Sequence, residues 1–117
     1  MMSSREVRDG LRASLTAAIK TRDDVAVSAL RSALSAIANA EAVGADSGGM
    51  RLPRLGIGVT DMPRRELSTG DVIAIIHAEV AERTSAATEL RRLGRAEAAD
   101  RAEAEAAVLM SYVGGET

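Results

Sequence analysis

With 117 residues, the chain has room for one domain, and its net charge of −2 gives no overall pull toward nucleic acid. It has no cysteine, which excludes disulfides, thiolate chemistry and cysteine-ligated zinc, and its one histidine leaves only carboxylates for a metal. Tyr112 is the one aromatic residue against 23 alanines, a balance that suits closely packed helices and argues against both a sheet core and recognition by base stacking.

A first helix is expected over 4–20. Val7, Leu11, Leu15, Ala18 and Ile19 recur at the spacing of one helical face, while Arg5, Arg8, Asp9 and Arg12 fall off it. Thr21, Arg22 and Asp23 form a break. A second helix then runs to about Val43, with Asp23 and Asp24 at its positive end and Ala26, Leu30, Leu34 and Ile37 along one stripe. Gly44 is expected to stop it.

Residues 44–67 read as a long irregular loop that holds both prolines and five of the ten glycines. Within it Leu52, Leu55, Ile57 and Val59 alternate loosely and could form a short hairpin. Residues 51–65 carry Arg51, Arg54, Arg64 and Arg65 against Asp61, a local net charge of +3, whereas 96–117 sum to −4. Connections of this length are uncommon and usually functional or mobile.

Ser68 followed by Asp71 is the strongest helix start, an acidic capping box opening a third helix that runs to Leu93. Gly94 is a natural left-handed end, and the short link to Arg95 makes an antiparallel hairpin with a fourth helix over about 96–113. The expected fold is therefore all-α: a small bundle of about four helices in antiparallel hairpins, occupying 1–113, with a short tail at 114–117. No apolar run approaches the roughly 20 residues that span a bilayer, and the opening MMSSREVRDG has no apolar core of the kind a signal peptide needs, so the reading is cytoplasmic with no membrane partner.

Turning each helix by about 100° per residue places charges inside the apolar stripes. Glu79 and Arg83 fall among Val72, Ile76, Val80, Ala87 and Leu90. Glu41 lines up with Leu30, Leu34 and Ile37, with Arg31 at the edge, and Glu105 lies between Ala102 and Leu109 beside Tyr112. A lone buried charge is costly, so an interior polar cluster is expected in which Arg83, aided by Arg31, bonds some of Glu41, Glu79 and Glu105. Such a cluster is either a structural network that fixes helix register or a pocket for a small polar group or a ribose-phosphate edge, since arginine's fork suits both. His77, toward the rim and without an acid or nucleophile beside it, reads as a surface residue. No serine has a nucleophile-elbow context, and Gly56-Ile57-Gly58 lacks the spacing of a dinucleotide or phosphate loop. No catalytic residue, metal or cofactor is expected.

Two stretches resemble the GatB/YqeY family. ALRSALSAIANAE (29–41) is similar to the second-helix signature, a Leu-Arg pair followed by Ala-Ile and a closing Glu. Residues 66–113 are similar to the third and fourth helices, with Val72, Ile76, Glu79 and Arg83 on the first and Gly94, Arg95, Glu105, Leu109 and Tyr112 on the second. The resemblance covers nearly the whole chain apart from the 44–65 loop, which is an insertion relative to compact members. It implies kinship with the helical tail of the GatB subunit of the glutamine-dependent amidotransferase that corrects misacylated Glu-tRNA(Gln) and Asp-tRNA(Asn). That assembly is a carbon–nitrogen ligase with glutamine as amido-N-donor, and its tail contacts tRNA while the chemistry occurs elsewhere. Members usually continue beyond the position of Tyr112 into a second, smaller subdomain, which this sequence lacks after Gly114.

Two partner readings follow. As a tRNA-associated accessory, the chain would meet phosphate through Arg51, Arg54, Arg64 and Arg65 in the loop and through Arg91, Arg92 and Arg95 at the helix hairpin. As a protein-interaction module, it would dock another helix through an apolar groove or through Leu52, Leu55 and Ile57. A free-standing amidotransferase would need a nucleophile and an ammonia source that the sequence does not hold.

Overall fold

A computed structural model describes residues 3–46 and 66–113. They form four helices and no strand: α1 (Ser4–Thr21), α2 (Asp24–Asp46), α3 (Thr69–Arg92) and α4 (Ala96–Met110). The all-α bundle is as expected. The proposed hairpin of Leu52, Leu55, Ile57 and Val59 lies outside the described residues.

Local chemistry sets the helix ends. Ser3 caps α1 in a capping box with Glu6, and Ser68 does the same for α3 with Asp71, each serine accepting from the N3 amide while the acid accepts from the cap amide. Asp23 opens α2 by accepting from the Ala26 amide at 3.1 Å. Gly94, at φ +79°, takes the left-handed position after α3 without a steric cost. Gly44 does not stop α2, which stays helical through Asp46. An interior glycine weakens a helix by only about 1 kcal/mol, too little by itself to end a helix that already runs from Asp24.

The apolar stripes meet in one core. Leu11, Leu30, Ile37, Val72, Ile76, Leu109 and Val113 are fully buried, with Leu15, Leu34 and Val80 packed against them. Ala29, Ala33 and Ala99 have no exposed surface, which fits closely packed helices. Leu67, read as loop, is buried in this core just ahead of α3. Ile19 is the misplaced stripe residue, half-exposed because it lies about 100° round from Ala18 on the last turn of α1. Tyr112 donates from its hydroxyl to the Ser14 hydroxyl, pinning the end of α4 to α1. Among the described residues no helix is long and apolar enough to cross a membrane.

Candidate functional site: a rim of paired charges

The charges inside the stripes stand at the edge of the core and not within it. No charged residue among those described is fully buried, and Arg83, Glu79 and Glu105 keep 13%, 15% and 13% of their side chains exposed. The cluster expected in the interior therefore sits at a rim.

Arg83 is its centre. Its Nε donates to Glu105 Oε1 at 2.9 Å across the α3–α4 hairpin, and a terminal nitrogen donates to Glu79 Oε1 and to the Glu79 carbonyl, both at 3.0 Å. Partial burial works against the charge, but the hydrogen bonds to Glu105 and Glu79 and their negative charge outweigh it and hold the guanidinium above its ordinary value. Glu79 Oε1 also accepts from the Ser32 hydroxyl at 2.6 Å, which ties α2 to α3. Glu105 Oε2 accepts from Arg101 Nε at 3.2 Å, and Arg101 reaches on to the Asp24 carbonyl at 3.5 Å. Three helices are thus linked through two carboxylates and one guanidinium.

Two expected members stand elsewhere. Glu41 pairs with Arg8 of α1 at 2.7 Å, not with Arg83, because its position near the end of α2 faces the start of α1. Arg31 is exposed and belongs to no ion pair among the described residues. Arg8, Ser32 and Arg101 were not foreseen. The spacing of Arg101 four residues before Glu105 was a legible signal for that pair. Arg8 lay off the apolar stripe and Ser32 carries no charge, so neither announced itself. Arg8 Nε is buried and has no hydrogen-bond partner among the described residues.

The hairpin arginines are engaged on the surface. Arg91 holds Asp100 and Glu103, both at 2.8 Å, and Arg92 pairs with Glu89. The hydrogen bonds that Arg91 donates to Asp100 and Glu103 raise its guanidinium above its ordinary value, and the bonds that Arg92 donates to Glu89 do the same for Arg92. Arg95 is exposed and without an ion pair among the described residues. Arg51, Arg54, Arg64 and Arg65 lie outside the described residues. His77 is exposed. No group of three or more His, Asp or Glu among the described residues could hold a metal ion.

Chemically, this arrangement satisfies its own charges. Each carboxylate of the rim already accepts from a guanidinium, and the rim's one described hydroxyl, Ser32, donates to Glu79 and so joins α2 to α3. Comparison of the chain with models of protein families, with curated proteins and with solved structures finds no match.

Proposed function

We propose that the chain is a binding module of the GatB/YqeY kind, without catalytic residues of its own, which acts in the cytoplasm as a tRNA-associated accessory to glutamine-dependent tRNA amidation. The carbon–nitrogen ligase chemistry would belong to the amidotransferase it accompanies. One observation supports this above the rest. The polar residues that carry the resemblance on α3 and α4, namely Glu79, Arg83 and Glu105, are spent on each other in holding helices in register. A likeness at such positions is a likeness of architecture, which fits a helical tail that docks and does not react.

The test is a titration of labelled tRNA(Gln) and tRNA(Asn) at two salt concentrations. Binding that weakens steeply with salt is the expected result, because each phosphate contact releases counterions. Absence of binding at low salt ends the reading.

A second reading, a protein-interaction module, is favoured by one specific feature. Arg91 and Arg92, two of the cations expected to meet RNA, are already matched by Asp100, Glu103 and Glu89, while Leu93 between them and Arg95 is 57% exposed. Capture of an amidotransferase subunit by the purified chain, with no affinity for tRNA alone, would select it.

A further inference from the structure

We infer that the end of the bundle bearing its two tight turns, with Lys20 and Arg22 on one and Arg95 on the other, is the surface that meets the phosphate backbone of an RNA; this rests on the tRNA reading above. The two turns share an end because each hairpin is antiparallel and Arg101, early in α4, reaches the Asp24 carbonyl at the start of α2. Both turns set the same backbone problem and solve it differently. After α3 the left-handed residue is Gly94, at φ +79°. After α1 it is Arg22, at φ 60° and ψ 40°, the one non-glycine residue with positive φ among those described. Its backbone amide completes the helix end by donating to the Ala18 and Ile19 carbonyls, which glycine would do equally well with no Cβ in the way. The Arg22 side chain is exposed and without an ion pair among the described residues. At the C-terminus of α1 its charge gains from the helix dipole, but less than the left-handed backbone costs, and a side chain held at that net cost points to a use outside the fold.

The surroundings fit an anion. Lys20 and Arg95 are likewise exposed and unpaired among the described residues. The acids at this end are committed. Asp23 accepts from the Ala26 amide, while Glu89, Asp100 and Glu103 hold Arg92 and Arg91. Asp24 and Glu97 lie in the first turns of α2 and α4, where the helix dipole offsets their charge. No aromatic residue stands here to stack on a base, so the contact is to backbone and indifferent to sequence.

The experiment compares the full chain with Arg22→Gly, Arg22→Asn and the Arg22→Gly/Arg95→Gln pair, reading thermal midpoint and tRNA(Gln) affinity at about 50 and 200 mM salt. The glycine variant is expected to melt no lower than the parent and to bind more weakly, with the double variant losing roughly tenfold and its salt slope falling by about one per cation removed. Unchanged affinity and slope in the double variant overturn the inference while leaving the tRNA reading intact. So does a lowered midpoint in both Arg22 variants, which would assign the side chain to the fold, or binding of phosphatidylserine vesicles in place of RNA. Failure of the unaltered chain to bind tRNA removes both.

Discussion

Arg83 and Arg91 stand about two turns apart on α3, and each holds two carboxylates, yet they do different work. Arg83 is 13% exposed and its partners come from its own helix and from α4, with Ser32 of α2 completing the set. Arg91 is 44% exposed, and Asp100 and Glu103 are 69% and 51% exposed. An ion pair against the core cannot rehydrate if one member is lost, whereas an exposed one returns to water at little cost. Similar bonds at similar distances are thus architecture in one place and surface chemistry in the other.

The largest effect expected from this contrast is at Arg83. Replacing it by Met leaves Glu79 with the Ser32 hydroxyl and Glu105 with the half-exposed Arg101 as their remaining partners at the edge of an apolar core. Fully buried pairs cost about 3–5 kcal/mol when one partner is removed, and the partial exposure here brings the expectation to about 2 kcal/mol, a fall of roughly 10 °C in Tm. Changing Glu79 and Glu105 to apolar residues in the same variant should recover most of that loss; no recovery would mean that the charges are not what the mutation disturbed. The sign of the pH dependence also follows. A guanidinium held above its ordinary value contributes fully at every pH below that value and loses its contribution only in strong alkali, so its own titration takes nothing from stability between neutrality and about pH 10.

A smaller effect separates the two sites further. Ser32 is the hydroxyl through which the rim reaches across to α2, and the Arg91 group has no such tie. Ser32→Ala should cost about 1 kcal/mol by chemical denaturation and leave the helix content unchanged. If instead the variant is as stable as the parent, the link between the hairpins is carried by the apolar core and by the Arg101–Asp24 and Tyr112–Ser14 bonds without help from Ser32.

How much of this could be read in advance depended on periodicity. The four helices, the Ser68 cap, the turn at Gly94 and most of the core follow from apolar spacing and from residues with one strong local role, whereas the Ser3 cap of α1 was not read from the sequence. Arg83 with Glu79 is an i, i+4 pair, and Glu105 sat on the facing stripe, so that much of the rim was legible. Helix order around the bundle was not. That order decides why Glu41 meets Arg8 and why Arg31 looks out to solvent, since a wheel gives the direction of a side chain within its own helix but not which neighbour stands there. Leu67 was missed for a related reason: a single apolar residue ahead of a cap has no period, although a residue before the cap commonly packs back on the helix it precedes.

The smallest expected effect is the one that tests the comparison most directly. Arg91→Ala removes two hydrogen-bonded ion pairs at 2.8 Å, the same number that Arg83→Met removes. If geometry alone set the worth of an ion pair, the two variants would lose comparable stability. If exposure sets it, Arg91→Ala should shift the melting midpoint barely or not at all, and any shift should vanish as salt is raised past the point where surface charges are screened. The Arg83→Met loss should persist under the same salt, because the carboxylates it leaves behind are only 15% and 13% exposed and are poorly reached by screening ions. Melting both variants across a salt series therefore decides the matter, and equal, salt-independent losses would show that the α3–α4 hairpin is clasped at both ends by charge.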